Sequence, residues 1–333
     1  MIPLNKTDQT DCYDAGGERV GCPGSGQDGE LRAGASWPCP RFEVRSQTAL
    51  DRLTGWMWTI DAGLSEFPLT WLEALAFVRE MNRTSACGYR DWTLPNRSQL
   101  FSLISHAHVN PALPSMAPFE NVFPGYYWTG SPCSGFGNQA WYVHLGGGRV
   151  FRGMKHGSCM VWPVRCPHGD GVAGSGPATE KNIQRAPAEP SQKHDCAVRF
   201  VSRDHLIHDR KTGLVWLNAA SLPQAPVTWS EALERVGDLN ADRAFGRNDW
   251  RLPNIRELES IIDIGRQSPA LADSQIFGSA PEGCWSSTTS IYEPRYAWVL
   301  YLKDGAVGVG YKIRPTFNVW AVRGETILKA SSR

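Results

Sequence analysis

The chain has 333 residues, enough for about two domains of ordinary size. Its 34 Lys and Arg nearly balance 33 Asp and Glu, so no global basic field invites nucleic acid. No apolar run reaches the roughly 18 residues of a membrane-spanning helix, and Met1–Lys6 lacks the apolar core of a signal peptide. Residues 1–40, rich in Gly, Asp and Cys, read as an irregular arm with Cys12–Cys22 as a candidate disulfide. A strand is expected at Gly55–Ile60, beside Thr-Gly turn chemistry. Next comes a helix with Thr70 as N-cap, Glu73 completing a capping box, and Trp71, Leu72, Leu75 and Val78 at helical spacing. Asn96 caps a second helix, with Leu100, Leu103 and Ile104 as its apolar positions. Short strands are then expected at Tyr126–Thr129, Ala140–Leu145, Arg149–Gly153 and Met160–Arg165. Residues 167–195, poor in apolar side chains and rich in Gly, Pro and Ala, read as a flexible linker.

The same pattern then returns. At an offset of 158, Arg41-Phe42 recurs as Arg199-Phe200, Thr54-Gly55 as Thr212-Gly213, Trp58 as Trp216, Thr70-Trp71 as Thr228-Trp229, Asn82 as Asn240, and Asp91-Trp92 as Asp249-Trp250. Leu94-Pro95-Asn96 likewise becomes Leu252-Pro253-Asn254. After one deletion, Ala140-Trp141 maps to Ala297-Trp298, and Val161-Trp162 closes the match on Val319-Trp320. The chain is a duplication, with a first unit over 41–166 and a second over 196–333. Two helices followed by a run of short strands in each unit predict an α+β fold with a mostly antiparallel sheet. The repeated Trp positions are read as framework core, which explains twelve of the 14 Trp of the chain as one Trp-rich unit counted twice.

The anchors T-G-x-x-W, T-W-x-E-A-L, D-W-x-L-P-N, W-S-S-T, A-W-x-V and V-W-x-V-R together resemble the Lcl C-terminal domain family, named for a collagen-like bacterial adhesin. The resemblance spans both units. It implies two tandem C-type-lectin-like domains, whose chain ends meet in one sheet and whose relatives bind ligands through the last third of the domain. In the first unit Trp128-Thr129-Gly130-Ser131 replaces the Trp-Ser-Ser-Thr found at Trp285–Thr288, so ligand identity does not carry from one unit to the other.

Between the constant Trp and Val positions of that last third, the two units differ in aromatic and basic residues. The candidate ligand-binding residues are Asn138, His144, Arg149, Phe151, Arg152, Lys155 and His156 in the first unit. In the second they are Tyr292, Arg295, Tyr301, Lys303, Tyr311, Lys312, Arg314 and Phe317. Residues 128–166 carry no Asp or Glu, which predicts locally basic faces suited to an anionic polysaccharide. The expectation is therefore a secreted or surface-associated bacterial binding or adhesion protein, extracellular or periplasmic. Its partner would be an extracellular polysaccharide or a surface protein, with no nucleic acid and no membrane insertion. The alternative is a structural subunit of a surface assembly.

The nine Cys form no CxxC and no zinc spacing, and neither a metal nor a cofactor is expected. Their loop-like settings favour an oxidising compartment, with Cys39–Cys166 and Cys133–Cys159 as further candidate disulfides and Cys166–Cys196 as a rival pairing. His106-Ala107-His108 is read as polar surface. The chain is not expected to be an enzyme. A formylglycine-generating oxidase, which shares the broad fold, would need a reactive Cys pair, for which Cys133 and Cys159 are the only candidates.

Overall fold

The computed structural model describes residues 4–167, 198–218, 221–223, 225–277 and 281–324, so the expected linker lies almost wholly outside the described residues. The arm doubles back on itself. β1 (Cys12–Tyr13) pairs antiparallel with β2 (Arg19–Val20), the Cys12–Cys22 disulfide closes the hairpin, and α1 (Asp28–Leu31) follows. The first unit contains β3 (Phe42–Arg45), β4 (Thr48–Asp51), β5 (Met57–Thr59), β6 (Leu69–Thr70), α2 (Trp71–Thr84) and α3 (Arg97–Ser102). It continues with β7 (Tyr126–Pro132), β8 (Gln139–His144), β9 (Val150–Met154), β10 (Ser158–Cys159) and β11 (Val164–Arg165). The second opens with β12 (Phe200–Arg203), β13 (Leu206–Asp209), β14 (Val215–Leu217), α4 (Trp229–Ala241), α5 (Ile255–Ser260) and α6 (Ser274–Phe277). It closes with β15 (Gly283–Thr289), β16 (Tyr296–Tyr301), β17 (Val307–Tyr311) and β18 (Val322–Arg323). The architecture is α+β in two tandem units.

In each unit the first and last strands lie in one sheet, at its opposite edges. The first forms a sheet in the order β11-β5-β4-β3, and the second repeats it as β12-β13-β14-β18. The opening hairpins, β3–β4 and β12–β13, were not anticipated. Their turns use Ser46, Asp204 and His205 at positive φ, without the Asn-Gly or Asp-Gly signature that marks such turns in sequence. The single strand expected at Met160–Arg165 is broken into an isolated bridge at Met160 and β11, with Pro163, which has no N–H to donate, between them. The strand expected at Asn318–Arg323 breaks in the same way, with an isolated bridge at Asn318 before β18, although Ala321 stands in place of Pro163.

The recurring motifs are framework chemistry. Both long helices carry the complete capping box, Thr70 with Glu73 and Thr228 with Glu231, each worth about 1 kcal/mol. Asn82 clamps both main-chain groups of Trp92 at 2.8 and 2.9 Å, and Asn240 does the same to Trp250. Asp91 pairs with Arg165 and Asp249 with Arg323, which ties the Asp-Trp turn to the closing strand. Buried Arg41 bonds Asp51 through two nitrogens and reaches the Ser102 carbonyl, and Arg199 repeats this with Asp209 and Ser260. Trp58, Trp92, Trp128, Trp141, Trp162 and their partners are buried, as core packing predicts.

The two units are not independent bodies. β9 pairs antiparallel with β17 at Val150 and Val307, so the hairpins of both units merge into one six-stranded sheet, ordered β15-β16-β17-β9-β8-β7. One core runs through the seam, with Leu100, Val143 and Val150 from the first unit and Leu258, Leu300 and Val307 from the second. Polar groups cross it too. Arg97 pairs with Glu259 at 2.7 Å and donates to the Gly305 carbonyl at 2.7 Å. Arg256 donates to the Ile104 carbonyl, and Arg152 pairs with Asp304. His106 is buried against the Trp298 ring, centroids 5.1 Å apart, rather than on polar surface, while His108 bonds Ser105.

Candidate functional site

Strand alternation decides which side chains of the shared sheet are free to act. Trp141, Val143, Val150, Leu300 and Val307 face α3 and α5 and are buried. The residues between them point the other way, where α2 and α4 lie over the outer strands β7 and β15 and reach Ala140 of β8 and Ala297 and Val299 of β16. The middle strands are left with a half-exposed aromatic strip. Tyr126 and Tyr142 meet edge-on at 4.7 Å, and Tyr126 meets His144 at 4.8 Å. Tyr142 stands directly across from Phe151 in register. Phe151 faces Tyr301 of the second unit at 6.4 Å, over Gly308, where a Cβ would stand 2.8 Å from the Tyr301 ring. Exposed Arg149 borders this strip, and its charge helps lower the His144 pKa, an effect led by burial. His144 is therefore neutral at neutral pH. Burial raises the pKa of Tyr142 and Tyr301, so both phenols keep their protons to donate.

The structure thus gathers His144, Arg149, Phe151 and Tyr301 into one place spanning the seam. It adds Tyr126 and Tyr142, which sequence reading missed although they differ from Gly283 and Val299 of the second unit, because each sits close to the constant Trp framework. The other candidates scatter. Arg152 is engaged by Asp304, and Phe317 is buried between Trp285 and Tyr301 at 5.0 and 5.6 Å. Arg295 pairs with Glu293, and Tyr311 lies against Tyr296 at 5.2 Å. Lys303, Arg314, His156 and Asn138 are exposed at loops, and Tyr292 is exposed where it packs toward Gly147 of the first unit. Lys155 lies over the Trp71 ring at 4.4 Å. Lys312, expected at the surface, is buried because the arm lies on it, and desolvation drops its pKa to about 7. On the strip itself the expected basic residues are represented by the exposed Arg149 guanidinium, while Lys303 and Arg314 stay exposed at loops of the second unit.

Of the candidate disulfides, Cys12–Cys22 is formed. Cys133 and Cys159 are free thiols, because they belong to different cores: Cys133 packs on the α3 side and Cys159 in the cluster of Trp71 and Trp128. Burial pushes the Cys159 thiol up to about 12 and raises Cys133 as well. Cys39 is an exposed free thiol, so it forms no bridge to Cys166, and the rival Cys196 lies outside the described residues. Among the described residues, no three of His, Cys, Asp and Glu converge as a metal site, and no helix is long and apolar enough to cross a membrane.

No curated protein matches the chain in sequence. The profile of the Lcl C-terminal domain matches residues 47–165 and again residues 205–323, most of both units. With that match repeated along more than half its length, the chain belongs to the Lcl C-terminal domain family, whose domain it carries twice in tandem.

Proposed function

We propose that the protein is a non-enzymatic, secreted or surface-associated bacterial binding protein, and that the aromatic strip across the seam is its ligand site. The observation that carries this reading is the alignment of Tyr126, Tyr142, His144, Phe151 and Tyr301 beside exposed Arg149 on one sheet face. Aromatic rings offer flat apolar faces to the C–H faces of sugars, and phenol hydroxyls bond ring hydroxyls. A guanidinium adds bidentate recognition of a carboxylate or sulfate. The ligand class that fits is an extended polysaccharide with acidic groups, lying along a single site built by both units. The Cys12–Cys22 disulfide supports an oxidising compartment. The raised pKa values of Cys133 and Cys159 favour binding over the oxidase chemistry that would need a thiolate.

A glycan array read at low and high salt tests this. Binding should favour acidic glycans and weaken with salt. Arg149→Ala should cost about 1–2 kcal/mol toward acidic glycans and little toward neutral ones. Tyr142→Ala and Phe151→Ala should each cost about 1 kcal/mol toward both. Binding to no acidic glycan, or binding untouched by all three substitutions, would remove the strip as the site.

A further inference from the structure

The first unit repeats, without the turn of the arm upon it among the described residues, a cradle that the second unit closes over the arm. In the second unit, Lys312 Nζ stands over the Trp229 ring at 4.0 Å and donates to the main-chain carbonyls of Tyr13 and Asp14 at 3.3 and 3.1 Å. Farther along the arm, Asn254 Nδ2 donates to the Ala33 carbonyl at 3.2 Å, and Thr288 Oγ1 donates to Asp28 at 2.7 Å. Gly17 at the tip of the hairpin approaches so closely that a Cβ would stand 2.8 Å from Arg295 Cγ. The second unit therefore displays what such a cradle holds: a tight turn, recognised through two successive backbone carbonyls.

The first unit keeps the same parts. Lys155 takes the place of Lys312 over Trp71, with Asn96 for Asn254 and Ser131 for Thr288. The same main-chain bonds fix both lysines: Lys155 N to Asn138 O at 2.8 Å matches Lys312 N to Arg295 O at 3.0 Å, and Trp71 N to Lys155 O matches Trp229 N to Lys312 O. Yet Lys155 is only half-buried, and its ammonium bonds the Gly137 carbonyl of its own exposed loop at 2.7 Å. One part differs. Gln9 of the arm reads the main chain of Thr289 through both its amide groups, and Pro132, in the matching position, has no N–H to offer. The arm of another copy would lose that bond here.

From this internal comparison we propose that Lys155, with Trp71, forms a second binding site, which takes a turn of a partner protein through two successive main-chain carbonyls. It is separate from the aromatic strip in residues and in ligand class. The test uses the full chain and, as probe, the fluorescently labelled oxidised peptide of residues 10–24, which contains the turn that the twin cradle accepts. Saturable one-to-one binding is expected, at least tenfold weaker in Lys155→Met and unchanged in Lys312→Met. Absence of saturable binding, or equal affinity for the wild type and Lys155→Met, overturns the proposal. Self-association that depends on Lys155, measured by sedimentation, also overturns it, in favour of a second copy as occupant. Glycan binding by Lys155→Met should stay at the wild-type level, so failure of this site and failure of the strip are read separately.

Discussion

Arg97 of the first unit and Glu259 of the second meet at 2.7 Å in the seam, the arginine side chain 2% exposed and the glutamate 16%. The guanidinium also lies over Trp141 at 5.1 Å and satisfies the Gly305 carbonyl. At the equivalent place in the second unit stands Ile255, so this pair has no symmetric twin. Removing the arginine should leave the mostly buried Glu259 carboxylate and the Gly305 carbonyl without this partner. Arg97→Ala is expected to cost about 3–5 kcal/mol in denaturant unfolding. The wild type should also unfold in one calorimetric transition, because one core serves both units. Two well-separated transitions would show that the seam does not couple them.

His106 should make the protein acid-sensitive. It is buried, both ring nitrogens lack a hydrogen-bond partner, and desolvation, with the nearby Arg256 charge, holds its pKa well below 6.5. As pH falls below about 6.5 the unfolded chain takes up a proton that the folded chain refuses, so this contribution lowers stability toward acid. His106→Leu should be at least neutral at pH 7, and its advantage over the wild type should grow between about pH 7 and pH 5. An advantage that stays constant over that interval would exclude His106 as the source.

Asp28 should act in the opposite sense on the arm. It is fully buried, with Thr7 and Thr288 hydroxyls both 2.7 Å from one carboxylate oxygen, and desolvation raises its pKa to about 6. The folded state binds this proton more tightly than the unfolded state, so stability is present below the unfolded value and lost as pH rises through 6. The whole effect amounts to about 3 kcal/mol at most. Limited proteolysis within residues 4–37 should be faster at pH 8 than at pH 5, and Asp28→Asn should lessen that difference.

Thiol labelling checks the cysteine assignments. Cys39 is exposed and should react quickly in the native protein. Cys159 and Cys284, buried and with raised pKa values, should react only after unfolding. Fast native labelling of Cys159 would return a nucleophile to consideration.

Much of the framework was legible because each anchor does local chemistry. A capping Thr, a clamping Asn and an Asp placed to meet an Arg at the closing strand leave the same mark wherever they occur. The strip was half legible. Arg149 and Phe151 stood out among the differences between the copies, whereas Tyr142, opposite Val299, reads as an ordinary strand residue until its neighbours are known. The seam was invisible. Val150 and Val307 look like any pair of core valines, and nothing local says that they face each other. The burial of Lys312 was hidden for a similar reason, because its cover comes from a segment almost three hundred residues earlier.

Strand β9 would be an open edge in a solitary unit, an invitation to pair with a like neighbour. Here the neighbour is covalently attached. The β9–β17 ladder is in effect a homodimer contact moved inside one polypeptide, so its formation does not depend on protein concentration. Such tethering frees the two halves from having to stay alike. One can hold the turn of the arm on its lysine while the other keeps its lysine on its own loop, and one can supply Phe151 where the other leaves Gly308 to make room for it. A symmetric pair of identical chains would be compelled to make both choices twice.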